Sequence, residues 1–407
     1  MKKQFLPFIF FLVLIFAVMA CASSVSVGNK LSSSDEVATI VASTLQALTP
    51  ATSDLSVEAP DSANLLPRSF YYLGTDNATG LMQVFRIERD GVTTRQLTFE
   101  PTNVGSYDVS SVDGSVVYIS NNQMFWVDAS GAGRRLLVDG GPVDVINPFI
   151  NTLRQPVFSP SGKIVAYSYK GLNFYSMDSG ISSLIVENKL HDAGNGGIFP
   201  EELYSPARYS PDGTKLLVTL GYYEGASSAI YTVASNTLVR LNGGEGALIC
   251  CGTEVWTSDG SAFYSANPTT GMFNSGLWKV DASNGVVTTL FANNYDTGVF
   301  NYANVPYLAP DGQLYYFFFT SNSEISTRTP LQIVRSAPDG VTGRTALRSD
   351  TFALMNEALW APDASFVIVA FAPIQDVYYG GQAEVTYLDG RPSVVLTTFA
   401  QNMKWGP

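Results

Sequence analysis

Short runs with apolar and polar residues in a period of two recur from about Arg68 to the end of the chain. Lys163-Ile164-Val165-Ala166-Tyr167 and Lys215-Leu216-Leu217-Val218-Thr219 are two of them; Met124-Phe125-Trp126-Val127-Asp128, Leu277-Trp278-Lys279-Val280-Asp281 and Arg134-Arg135-Leu136-Leu137-Val138 are others. A period of two places alternate side chains on opposite faces, so these segments are predicted strands. One phrase introduces each cycle of strands: an aromatic or aliphatic residue, a small residue, Pro or its equivalent, Asp, and Gly. It appears as Ser111-Val112-Asp113-Gly114-Ser115, Phe158-Ser159-Pro160-Ser161-Gly162, Tyr209-Ser210-Pro211-Asp212-Gly213, Trp256-Thr257-Ser258-Asp259-Gly260, Leu308-Ala309-Pro310-Asp311-Gly312 and Trp360-Ala361-Pro362-Asp363-Ala364. Its Gly, at 114, 162, 213, 260 and 312 with Ala364 as the equivalent, returns about every 50 residues. That period is too long for helical repeats and suits a four-stranded propeller blade.

The chemistry of the phrase is that of a tight turn. Pro presets φ, Asp hydrogen-bonds its own backbone, and Gly takes positive φ without steric cost, so the first two strands of each cycle can fold back on each other. These recurring aspartates are therefore read as structural rather than catalytic.

The phrase resembles the PD40, or WD40-like, propeller repeat of the TolB family, from about Arg68 to the C-terminus. The resemblance implies an all-β fold: a seven-bladed β-propeller of four-stranded blades over residues 67–407. Six blades, with one copy misread, is the alternative. The seventh copy is cut short at Lys404-Trp405-Gly406-Pro407. Its missing strands are found at the other end, in Phe70-Tyr71-Tyr72-Leu73-Gly74, Gln83-Val84-Phe85-Arg86-Ile87 and Arg95-Gln96-Leu97-Thr98. A C-terminal strand joining these N-terminal ones would close the ring and remove open sheet edges.

Residues 1–20 change the expected address. Lys2 and Lys3 precede an apolar run from Phe5 to Ala20, which is shorter than the ~20 residues that cross a bilayer and follows the order of an export signal. Val18-Met19-Ala20-Cys21 resembles the lipobox of bacterial lipoproteins. The resemblance implies that Cys21 is lipidated and becomes the mature N-terminus, anchoring the protein to a cell membrane outside the cytoplasm. Residues 21–66, rich in Ser, Ala and Thr, read as a flexible tether. An ordinary secretory signal and an uncleaved anchor are the other readings.

Composition narrows the function. Lys and Arg number 23 against 35 Asp and Glu, a net charge of −12, so no nucleic-acid partner is expected. With 46% hydrophobic and 12% aromatic residues, the chain can bury a core over most of its length. One His, His191, leaves no polyhistidine metal site; the chain also has no Gly-x-Ser-x-Gly elbow, phosphate loop or EF-hand loop. No catalytic residue, metal or cofactor is assigned on these grounds.

Candidate binding residues fall in the long connections between cycles, since loops on a rigid scaffold carry function. They are Arg154, His191, Glu201, Glu202, Tyr204, Cys250, Cys251, Glu254, Tyr302, Asn304, Asn356 and Glu357. Amides, carboxylates and aromatic rings suit a glycan, peptide or protein partner. Cys250-Cys251 has three readings: a vicinal disulfide forming a stiff platform, two buried thiols, or a redox pair. Adjacent Cα atoms lie about 3.8 Å apart, below the usual disulfide minimum, so the first would be strained. The expected function is a membrane-anchored, non-catalytic binding or scaffolding module. The alternative is a propeller enzyme, such as a carbohydrate-active hydrolase or lyase, using loop carboxylates.

Overall fold

The computed structural model describes residues 64–194, 197–242, 253–270, 274–325 and 327–407. Residues 1–20, nearly all of the 21–66 segment, and Cys250-Cys251 lie outside them. The described residues form β-structure with a single 3₁₀ turn, Pro148–Ile150, and no α-helix.

Four-stranded antiparallel meanders follow one another along the chain, spanning 104–139, 154–187, 253–292 and 300–346. A fifth sheet, 189–240, carries an extra hairpin strand. The last has seven strands in the order Met355–Trp360, Phe366–Phe371, Gly381–Tyr387, Val394–Trp405, Phe70–Thr75, Met82–Ile87, Thr94–Gln96. In it the long strand Val394–Trp405 pairs with Gly381–Tyr387 over its first half and with Phe70–Thr75 over its second. Phe70 lies opposite Trp405 and Leu73 opposite Gln401, the expected joining of the two chain ends. First strands of neighbouring sheets pack side by side around a central axis, and the fold is a β-propeller.

Burial explains this arrangement. Each sheet's second strand is sandwiched on both faces, and Val116–Ser120 and Ile164–Ser168 are buried at every position. The fourth strand lies at the rim, so Ser182–Glu187 alternates exposed and half-buried residues. Fully burying one Val, Leu, Ile or Phe contributes about 1.5–3 kcal/mol, so the inner strands carry most of the cohesion.

Turn aspartates behave as the phrase implies. Asp113, Asp212, Asp259, Asp311 and Asp363 each accept a hydrogen bond from the backbone N–H two residues on, at 2.8–3.0 Å. Hydrogen bonds from Thr257 and Ser261 hold the Asp259 carboxyl down at about 2. Ala364 keeps the positive φ of the glycines it replaces, 58°.

Tryptophans that open the phrase also tie each copy of it to the strand that leads into the copy before. Trp405 Nε1 donates to Trp360 O at 2.7 Å, Trp360 Nε1 to Val305 O at 2.8 Å, and Trp256 Nε1 to Arg208 O at 3.3 Å. The sequence reading ends the tether at residue 66, but Leu66 is buried. Its N–H donates to Arg89 O at 2.9 Å, so the last tether residues are part of the fold.

Candidate ligand-binding face

Strand direction sorts the loops onto two faces. The phrase turns, Asn64–Ser69 and Gly406-Pro407 lie on one, where Gly406 N–H donates to Ser69 O at 2.9 Å. On the other lie the connections between sheets and those between second and third strands. Among the described residues every exposed Phe and Tyr is on this long-loop face: Phe99, Phe199, Tyr223, Tyr295, Tyr378 and Tyr379. The turn face exposes only isolated Val and Ile side chains such as Val112, Ile181 and Val341.

The 189–202 candidates sit on a hairpin that the alternation alone did not reveal. Lys189–Gly194 pairs with the start of Gly197–Tyr209, and all six residues of its first strand are exposed. His191 Nδ1 lies 3.6 Å from Glu201, both well exposed. Phe199, opposite His191 midway along the hairpin, packs edge-on against Tyr223, ring centroids 4.9 Å apart. Glu202 is different: it is buried at the hairpin base, where Lys189 Nζ reaches it at 2.7 Å and Arg240 and Tyr204 also donate to it. Burial opposes its ionisation, but the bonds from Arg240, Lys189 and Tyr204 win and bring it down to about 2. Tyr204 is raised, first by burial and then by Glu202. Glu202 and Tyr204 therefore fasten the hairpin to the sheet.

Arg154, Glu254, Asn304, Asn356 and Glu357 lie on first strands, facing the axis or the neighbouring sheet. Burial lowers Arg154 and raises Glu254 and Glu357. Ser228 donates to Glu254 Oε1 at 2.9 Å, and Met403 N–H to Glu357 Oε2 at 3.2 Å. Glu254 is thus turned toward the adjacent sheet and Glu357 toward the long strand Val394–Trp405 of its own sheet, neither into a shared cavity. Tyr302 is fully buried, its hydroxyl accepting from Ile325 N–H at 2.7 Å.

Asn304 and Asn356 meet in a cavity of about 330 Å³ that opens on the long-loop face. Thr253, Phe352, Tyr378 and Arg328 complete the part of the wall that matters chemically. Arg328, which sequence reasoning missed, enters from the loop between second and third strands of the 300–346 sheet. Its Nε donates to Gln375 O at 2.8 Å, and its Nη2 to Asn356 Oδ1 at 3.0 Å and to Val377 O. The Tyr378 ring lies 4.6 Å from the guanidinium carbon. The available signal was length: this connection runs from 322 to 331, whereas the equivalent turn at Asn121-Asn122 has two residues.

A first-strand bulge aims Asn304. The pairing shifts between Asn304 and Tyr307, and Val305 takes φ 46°. Positive φ in a β-branched residue is a strained outlier, costing about 1–3 kcal/mol. Thr253 holds it from one side, accepting from Val305 N–H at 2.7 Å, and Trp360 from the other. A second cavity, about 430 Å³, lies at the turn end of the axis beside the Lys404–Asp108 pair and Arg208.

No protein-family model matches the sequence, and no curated protein matches it either. Likeness appears at the level of structure. A solved structure from an analysis of two prolyl endopeptidases superposes with TM-score 0.52 at 11% identity, covering 83% of this chain and 49% of that one, so the chain spans about half its length. Oligogalacturonate lyase in complex with manganese gives TM-score 0.51 at 11% identity, covering 81% and 84%. TolB from Acinetobacter baumannii gives TM-score 0.43 at 13% identity, covering 80% and 79%. At such identities the likeness is one of fold.

Proposed function

We propose that this protein is a membrane-anchored extracytoplasmic lipoprotein whose propeller is a non-catalytic binding or scaffolding module for a protein, glycan or peptide on its long-loop face. In this reading the seven-stranded sheet is two blades sharing the strand Val394–Trp405, making seven blades in all. The observation that carries the binding assignment is the confinement of exposed aromatic rings to that face, since exposed apolar and aromatic surface concentrates at interaction sites.

The anchor reading agrees with this polarity. Residues 64–69 enter on the turn face, so a tether from Cys21 directs the long loops away from the membrane. The alternative, a carbohydrate-active hydrolase or lyase using loop carboxylates, would need those carboxylates to converge on one cavity. Glu254 is instead engaged by Ser228 of the neighbouring sheet and Glu357 by the Met403 N–H of the shared strand.

Site-specific photo-crosslinking on cells tests the face assignment. A crosslinker at Tyr223 or Tyr295 should give covalent adducts, and one at Val112 or Val341 should give none. Adducts from the turn positions alone would overturn it. Incorporation of labelled palmitate, lost in Cys21→Ser, tests the anchor separately.

A further inference from the structure

Beyond a general binding face, the 330 Å³ cavity has a definite chemistry. Two donors in it are unspent. Asn304 uses its Oδ1 to accept from Thr253 Oγ1 at 3.0 Å and from Val305 N–H at 2.9 Å; among the described residues its Nδ2 has no partner. The Arg328 Nη1 reaches only Met355 O, at 3.5 Å, the outer limit of such a bond. Nε and Nη2 are occupied by carbonyls and by Asn356, which fixes the guanidinium plane. Asn356 is itself committed, donating to Gly380 O at 2.6 Å.

Charge points the same way. Among the described residues no carboxylate pairs with Arg328, although most other arginines whose side chains are bonded here have one, as Arg86, Arg134, Arg240 and Arg348 do. A clamp between loops accounts for Nε and Nη2, but not for a positive charge left facing a cavity. The first-strand bulge recurs with positive φ at Gln155 and Asn402; at Val305 it falls on a β-branched residue, the costlier case, held by partners on both sides, and that is the third observation. It turns the Asn304 amide into the same cavity.

A fixed guanidinium and a free amide donor on the wall of one cavity suit the planar, singly charged, two-oxygen geometry of a carboxylate. A phosphate would call for more positive charge or a cradle of backbone N–H groups. Threonine hydroxyls and the Tyr378 ring line the rest of the space, suiting a body with hydroxyl edges and C–H faces. We propose that this cavity binds the carboxylate of an acidic sugar, with Arg328 and Asn304 as its donors. This rests on the reading of the long-loop face as the binding face.

Isothermal titration of the full-length protein with sodium glucuronate, with glucose, and with a short peptide bearing a free C-terminal carboxylate tests it. Glucuronate should bind at least tenfold more tightly than either of the others. Arg328→Gln should weaken it at least tenfold, in line with loss of a charged hydrogen bond. Because that change also cuts the clamp, Thr327→Glu is the companion variant. Thr327 is exposed on the cavity wall, and a carboxylate there should neutralise Arg328 and abolish binding with the melting temperature unchanged. Equal binding of glucose, preference for the peptide, no binding of glucuronate, or full affinity in Thr327→Glu would each overturn the proposal. Retained crosslinking at Tyr223 in Thr327→Glu would show that the broader face assignment survives such a failure.

Discussion

The Tyr107 hydroxyl donates to the carbonyl of Asn402 at 2.6 Å, joining residues 295 positions apart. Asn402 takes φ 54° at the bulge of the shared strand. On the other side the Glu357 carboxylate accepts from Met403 N–H. Closure of the propeller is therefore held by a side chain of the 104–139 sheet and by one of the strand Met355–Trp360, in addition to the ladder between Phe70–Thr75 and Val394–Trp405. Tyr107→Phe leaves the Asn402 carbonyl without this donor. It should cost about 1–3 kcal/mol, read as a lower urea midpoint at constant slope.

The second clamp of this kind predicts a similar loss from a different residue. Trp360→Phe removes the donor to Val305 O while keeping an aromatic ring among Tyr307, Tyr315 and Phe317. About 1–3 kcal/mol of stability should go. If the clamp also positions Asn304, glucuronate affinity should fall, whereas Trp256→Phe, away from that cavity, should lower stability alone.

Two carboxylates should respond to acid with opposite sign. Glu202 sits below its ordinary 4.5, at about 2; a depressed acid stabilises the fold above its unfolded value, and the contribution is lost as pH falls from about 4.5 toward 2. At neutral pH Glu202→Gln should be destabilised by roughly 1–3 kcal/mol, since Tyr204, Arg240 and Lys189 lose a charged acceptor while both cations stay half in solvent. That deficit should shrink across the acid window. Glu357 is raised by burial, against the pull of the Asn402 and Met403 N–H groups. Its ionised form opposes folding at neutral pH, and the opposition disappears as pH falls through its folded value. Wild type should therefore gain on Glu357→Gln as the solution is acidified, measured as the difference in urea midpoints.

Much of the scaffold was legible because its turns repeat. Asp and Gly at fixed offsets carry a local mechanism, and the structure uses it at Asp212, Asp259 and Asp311 as the chemistry requires. The pairing of the chain ends was legible for a similar reason, since Lys404-Trp405 opens a phrase that needs partners. The site was less accessible. Arg328 lies in a loop outside the connections between sheets, and nothing local marks a guanidinium whose partners are carbonyls of residues 375 and 377. The Val305 bulge is equally hidden, because a positive φ in valine follows from contacts with Thr253 and Trp360, some 50 positions away on either side. Glu202 read as a candidate binding acid in a long connection, yet the hairpin buries it beside Lys189 and Arg240.

Gly381 tests the packing at the mouth of the last loop. It has φ 144°, and a β-carbon there would lie 1.9 Å from Phe371 O. Gly381→Ala should cost about 3 kcal/mol or more. Gly390→Ala, at φ 82° with open space around it, should cost only about 1–2 kcal/mol. Thermal melts of the two variants compare them directly.

The assignment of every long loop to one face depends on the joining of the chain ends, and amide hydrogen exchange of the full-length protein measures that joining most directly. If the ring is zipped as described, amides of Phe70–Thr75 and those of 401–405 that face them will exchange only with global unfolding, as slowly as Ile164–Ser168. Exchange of either segment within minutes, while Ile164–Ser168 stays protected, would contradict the account.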